Sequence, residues 1–216
     1  MLQNEDLIGR ALAAELPDDQ TANRILGAAF QQAEDFGLRR FTMDDVARRV
    51  GLSRVTIYRY FPKKDELINA LLMIELRRFL NKVEAVVAEQ PTPLSKLVEG
   101  LLFCLNFLRA HRLLNRLLRT EPELILPHLT TKAGGTVLAA ARGWVAMQIR
   151  AEVAAGRVAM PDPDVDVLAE LLVRIVISLT ITPDSVLPMD SPDDQRRLVE
   201  LYLAPVVAAF RPREEN

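Results

Sequence analysis

Residues Gly51–Phe61 read GLSRVTIYRYF, and they mix an apolar skeleton with two arginines, two tyrosines, a serine and a threonine. The ten residues ending at Gly51 read TMDDVARRVG. Thr42 with Asp45 three places on has the form of a capping box. Val46, Ala47 and Val50 fall on one side of that short helix, and Gly51 ends it. Ser53 then caps a second helix from Arg54 to about Tyr60. Two short helices joined at Gly51-Leu52-Ser53 make a helix-turn-helix. On the second, Ile57 and Phe61 lie four apart and anchor it inward, leaving Arg54, Val55, Thr56, Tyr58, Arg59 and Tyr60 outward to varying degrees.

That outward set has a chemistry. A helix fits the major groove of a DNA duplex, and its first turn reaches base edges. Arginine there can bridge two acceptors on guanine, and a threonine or valine methyl can touch thymine. Tyrosine hydroxyls reach phosphates on a stiff arm. At Ser53 the helix start leaves N–H groups that favour a phosphate.

Charge points the same way. From Gly37 to Lys64 there are eight basic side chains, Arg39, Arg40, Arg48, Arg49, Arg54, Arg59, Lys63 and Lys64, against Asp44 and Asp45, a local charge of +6. The whole chain is −2, so the remainder carries −8. A basic end on an acidic body presents one face to an anion.

The rest of the 216-residue chain reads as helix. Residues 1–20 are a short extension in which Leu2, Ile8, Leu12 and Leu16 stripe a weak amphipathic helix or fray, ended by Pro17-Asp18-Asp19. From Thr21, Leu26, Phe30, Ala33 and Phe36 share a helical face, and Gly37 is a natural stop. After Pro62 a long helix runs from Lys63 to about Glu89, with Leu67, Leu71, Ile74 and Phe79 on its apolar side. Capping residues precede proline at Thr92-Pro93, Asp162-Pro163 and Ser191-Pro192, and Thr120 with Glu123 marks one more start. The spacing predicts helices near 93–109, 111–119, 121–126, 130–155, 163–181 and 192–210. No stretch alternates with a period of two. The expected fold is all-α: a three-helix N-terminal helix-turn-helix domain over 21–67, then a larger helical-bundle domain over 68–216 for ligand binding and dimerisation.

Residues 21–67, ILGAAFQQAEDFGLRRFTMDDVARRVGLSRVTIYRYFPKKDEL at their heart, resemble the DNA-binding domain of the TetR family of transcriptional regulators. The tail TIYRYFPKKDEL is the most specific part. The resemblance covers about a fifth of the chain. It implies that Thr42 meets backbone phosphate and that Arg54, Val55, Thr56 and Arg59 face the groove. It further implies that Tyr58, Tyr60 and Lys64 hold phosphates. Where the family often has a small capping residue before that lysine, this chain has Lys63, a weaker cap and one more positive charge. Ser53 and Lys63 complete the candidate DNA-binding set.

The resemblance also implies a body that dimerises and binds a small effector. For the pocket the candidates are Phe103, Asn106 and Phe107 on one helix and Trp144, Met147 and Gln148 on another, apolar walls with a few polar groups. The same spacing also suits a plain core. For dimerisation, helix 163–181 is apolar nearly all round and so wants burial on two sides. Leu168, Leu172, Ile175 and Leu179 there, with Leu198, Leu201, Tyr202 and Val206 on the last helix, would make a four-helix seam. Core helices of a monomer are the alternative.

Other classes find little support. One cysteine, Cys104, sits in the apolar run GLLFCLNFL as a buried thiol and excludes an internal disulfide framework. His111 and His128 are 17 apart with no third ligand, so no metal or cofactor is expected. His111 suits a helix cap or break instead, and Gly134-Gly135 suits either a loose helix start or a close backbone approach. No catalytic triad spacing or phosphate-cradling glycine loop occurs, so no enzyme is expected. The beginning shows no signal-peptide pattern. The longest apolar run, VLAELLVRIVISLTI, is short of a span of about 18–20 residues and holds Glu170 and Arg174. The expectation is a cytoplasmic homodimeric repressor on an inverted-repeat duplex, released by a small effector. An activator, an effector-independent regulator or a helical protein–protein adaptor are the alternatives.

Overall fold

The computed structural model describes residues 19–124, 126, 135–189 and 191–205, and every regular element among them is helical. The expected N-terminal extension, His128, Gly134 and Val206 lie outside the described residues. Helix α1 spans Gln20–Arg40, α2 Met43–Val50, α3 Arg54–Tyr60 and α4 Lys64–Ala88. Then follow α5 (Pro93–Ala110), α6 (Arg112–Thr120), α7 (Gly135–Ala154), α8 (Asp162–Ile181) and α9 (Pro192–Leu198), which runs on into a π-helical turn at Val199–Leu203.

Local chemistry accounts for most boundaries. The Asp19 carboxylate accepts from Thr21 N–H at 2.7 Å and starts α1. At α2, Thr42 Oγ1 accepts from Asp45 N–H while the Asp45 carboxylate accepts from Thr42 N–H, the reciprocal cap. Gly51 closes α2 in the left-handed region, φ +73°, where its N–H donates to the Ala47 carbonyl. Ser53 Oγ accepts from Thr56 N–H at 3.1 Å and starts α3. Lys63 precedes α4 with no side-chain cap. His111 starts α6, its Nδ1 accepting from Leu114 N–H at 3.2 Å, so the ring proton sits on Nε2.

Four boundaries differ from expectation. Gly37 does not end α1 outright: it turns the chain at φ +82°, ψ 170°, and Leu38–Arg40 resume a helical path. Helical residues do follow at 122–124, as expected near 121–126, but Thr120 does not cap them. It is the last residue of α6, its hydroxyl donates to the Arg116 carbonyl, and Glu123 is held by Arg39 at 2.9 Å. Asp162 lies inside α8 rather than capping it, because Arg150 Nε takes its carboxylate at 2.7 Å. The last helix widens at Val199–Leu203. Pro205 has no N–H to give the turn before it, and Ala204 N–H reaches back five residues to the Val199 carbonyl.

Two main cores result. The first joins Ile25, Leu26 and Ala29 of α1, Val46 and Val50 of α2, Ile57 of α3 and Leu67, Leu71 and Ile74 of α4. Ile57 and Phe41 are fully buried. Burying one such side chain stabilises by roughly 1.5–3 kcal/mol, which fixes the orientation of α3. This core also takes Leu113 and Leu117 from α6. Phe36 does not join the inward face of α1 but lies exposed. The second core packs Val98, Leu101 and Leu102 of α5 against Ala146 of α7 and Val165, Leu168, Ala169 and Leu172 of α8, with Val199 behind. Among the described residues no helix is long and apolar enough to cross a membrane.

Candidate nucleic-acid interface

With Ile57 buried, the opposite side of α3 faces out. Arg54, Val55, Tyr58 and Arg59 are exposed, Val55 to 80%, and Thr56 and Tyr60 are half-buried. Ser53 and Thr42 are exposed at the starts of α3 and α2, and Lys63 is exposed beside half-buried Lys64.

Most polar side chains of the set have a partner within the chain. The Arg54 guanidinium meets Asp44 of α2, with Nε 3.1 Å from Oδ1 and Nη1 donating to Oδ2 at 3.3 Å. It also lies over the Tyr58 ring at 5.3 Å. Tyr58 first and Asp44 second raise the guanidinium further above its ordinary range. Ser53 and Thr56 share a hydrogen bond between their hydroxyls at 2.8 Å. The Thr42 hydroxyl donates to Asp45 at 2.7 Å and is the main cause holding that carboxyl below its usual range. Arg59 lies over the Tyr60 ring at 5.5 Å. Lys64 Nζ donates to the Arg39 carbonyl at 3.1 Å and lies over Phe41. The Tyr60 hydroxyl donates to Asp19 at 2.5 Å and, as the largest of several causes, lowers the Asp19 pKa. That hydroxyl, assigned to phosphate in the sequence, is therefore engaged at the start of α1. Arg48 pairs with Asp45, Arg49 with Asp35 and Arg39 with Glu123. Half of the eight local cations thus have carboxylate partners, which a residue count does not reveal.

The pocket candidates separate into two groups. Phe103 and Phe107 of α5 stack with each other at 5.6 Å and with Phe79 of α4 at 6.4 and 5.1 Å. The aromatic chain continues through His111 to Phe30 of α1. Asn106 and Met147 are exposed, while Trp144 and Gln148 are half-buried on α7. That helix packs mainly with α8, in the second core. Cys104 sits on α5 with burial pushing its thiol up to about 12, so it stays protonated and inert.

The dimer candidates also divide. Leu168, Leu172 and Leu198 are buried in the chain's own cores, and Leu179 is half-buried against the Leu198 cluster. Ile175 is half-buried. The exposed apolar side chains are Val167 and Leu171 of α8, at 58% and 50%, with Leu201 and Tyr202 at 53% and 64%. The outward face of α8 is therefore turned by one residue, about 100°, from the stripe chosen in the sequence.

Residues 25–71, from α1 through the helix-turn-helix into α4, match the model of the bacterial regulatory proteins of the TetR family. Over these residues the chain carries a DNA-binding domain of the TetR type. A Mycobacterium bovis HTH-type transcriptional regulator is 36% identical over 63 residues, 29% of this chain and 33% of that one, so this match spans about a third of the relative's length. A Mycobacterium tuberculosis HTH-type transcriptional regulator is 26% identical over 188 residues, 86% of this chain and 85% of that one. A solved TetR-family regulator from Mesorhizobium loti superposes with a TM-score of 0.66 at 18% identity, over 92% of this chain and all of that one. A structure of the SmeT–triclosan complex superposes at 0.59 with 20% identity, over 90% of this chain and 93% of that one. At these identities the structural likeness speaks for the fold.

Three residues of this TetR-type reader escaped the sequence. Asp44 was counted only as charge, yet it holds Arg54. Asp19 was read as a helix breaker, yet it caps α1 and takes Tyr60. Glu121 carried no signal, because its partners are backbone N–H groups more than 80 residues away.

Proposed function

We propose that the protein is a cytoplasmic, homodimeric, sequence-specific DNA-binding repressor, released from its operator by a small-molecule effector. The observation that carries the DNA-reading part is the division of α3: Ile57 fully buried, and Arg54, Val55, Tyr58 and Arg59 exposed on the other side. In this reading Arg54, Val55, Thr56 and Arg59 meet base edges. Thr42, Ser53, Tyr58, Lys63 and Lys64 meet phosphates, and Tyr60 does so only after leaving Asp19. The chemistry is recognition rather than catalysis.

Dimerisation is supported by the exposed apolar set Val167, Leu171, Leu201 and Tyr202. A two-fold pair of readers would meet half-sites about 34–36 Å apart. The effector reading is supported by the half-buried aromatic wall of Phe79, Phe103 and Phe107 and by the ligand complex of SmeT, a structural neighbour. An effector would act by binding better to the arrangement in which the readers are badly spaced, and only to the extent of that difference in affinity.

Selection of bound duplexes from a random pool, by purified protein at near-physiological salt, tests this. The expected result is an enriched inverted repeat. Binding driven by salt alone, without enrichment, would overturn sequence-specific reading.

A further inference from the structure

We propose that Asp44 is a specificity-determining positioning residue, its carboxylate reserving Arg54 for a neutral base edge and against the phosphate backbone. This rests on the DNA-reading role of α3 proposed above. Four acids border the reader at α1 and α2, and they do different work: Asp19, at the start of α1, takes the Tyr60 hydroxyl. Asp45 is taken by the Thr42 cap and by Arg48. Asp35 pairs with Arg49 of α2. Asp44 faces Arg54, at 3.1 and 3.3 Å, and its Oδ1 is shielded from solvent. The Tyr58 ring flanks the same guanidinium at 5.3 Å. Arg54 is thus held by a carboxylate of one helix and a ring of its own.

The carboxylate treats the two possible targets differently. A phosphate brought to Arg54 comes close to Asp44 as well, and like charges repel. The guanine edge offers O6 and N7, neutral acceptors, so it keeps its hydrogen bonds without meeting that repulsion in full. Arg54 has five N–H groups in a rigid fork, enough to hold Asp44 and still donate to a base. Asp44 therefore lowers the affinity for any duplex more than it lowers that for the right one.

The test uses the full chain with Asp44→Asn and Asp44→Glu, each alone and with Arg54→Ala. Binding is measured across salt to the selected duplex and to a scrambled duplex of equal length. In Asp44→Asn, the expected salt slope on scrambled DNA steepens by about 1, one added phosphate contact. The preference for the selected duplex falls by about 10-fold, the worth of one good base contact. Asp44→Glu restores most of the preference, and with Arg54→Ala present Asp44→Asn changes neither quantity. An unchanged preference and slope in Asp44→Asn, beside a selective wild type, overturns the role of Asp44 and leaves DNA reading intact. An equal change with and without Arg54 also overturns it, pointing to the charge at the start of α2. A wild type with no preference overturns the DNA reading and this inference together.

Discussion

The carboxylate of Glu121 occupies the place where a side chain at residue 37 would stand. Gly37 turns α1 at φ +82°, and a Cβ built there would lie 2.9 Å from Cδ of Glu121. Glu121 is buried, and its Oε2 accepts from Leu38 N–H at 3.1 Å and Arg39 N–H at 3.2 Å. The end of α6 thereby grips the break in α1, while Lys64 of α4 takes the Arg39 carbonyl from the other side.

Gly37→Ala should destabilise the fold on two counts. The backbone conformation alone costs about 1–3 kcal/mol for a non-glycine residue, and the methyl displaces the carboxylate. Glu121→Ala should cost about 1–3 kcal/mol for each buried N–H left without an acceptor. Urea unfolding of both variants and the double variant checks this. The two losses should add to less than their sum, because both remove the same contact.

Arg54→Ala should relax base preference at one position per half-site, by about 1–3 kcal/mol. Lys64→Ala should weaken all duplexes alike and lower the salt slope by about 1. Lys64 also holds the Arg39 carbonyl, so unfolding of this variant is measured alongside binding. A selective loss in Lys64→Ala, or an unchanged preference profile in Arg54→Ala, would reverse the assigned roles.

Leu171→Glu or Tyr202→Glu should turn a dimer into a monomer without unfolding it, since both side chains are exposed within the chain. Leu168→Ala should do the opposite, costing about 2–5 kcal/mol of stability through the buried core. Sedimentation and thermal unfolding separate the two outcomes. Dimers that persist in both Glu variants would move the seam elsewhere.

Glu152 should make stability fall in acid. Its carboxylate accepts from Arg157 and Lys96, and these bonds, Arg157 first, hold its pKa at about 2 against an ordinary 4.5. A group depressed in the folded state stabilises fully above its unfolded value and loses that contribution as pH falls through the folded one. The contribution should therefore be complete above about pH 5 and decline toward pH 2. Glu152→Gln should flatten this part of the acid-unfolding curve. An identical curve in the variant would remove Glu152 from the account.

The reader was legible because its signals are local. Thr42, Asp45, Gly51 and Ser53 act within four residues of themselves, so pattern and spacing suffice to place α2 and α3. Ile57 could be turned inward by periodicity alone. The body was less legible. Helix α8 is apolar on nearly every side, so periodicity could not say which side meets the core. Only packing against α5 and α7 put Leu168 inside and Leu171 outside. Pairing with α8 and the second core, not with Phe103, likewise claimed α7.

By itself the sequence determined that the chain is helical, where its reader begins and turns, and that one end is basic, because capping, turn geometry and charge are properties of neighbours. Tertiary structure alone decided that Asp44 meets Arg54, that Tyr60 meets Asp19 and that Glu121 fills the space at Gly37. Those partners are 10, 41 and more than 80 residues apart. A charge or hydroxyl finds such a partner only when buried apolar contacts have already fixed the helices that carry them.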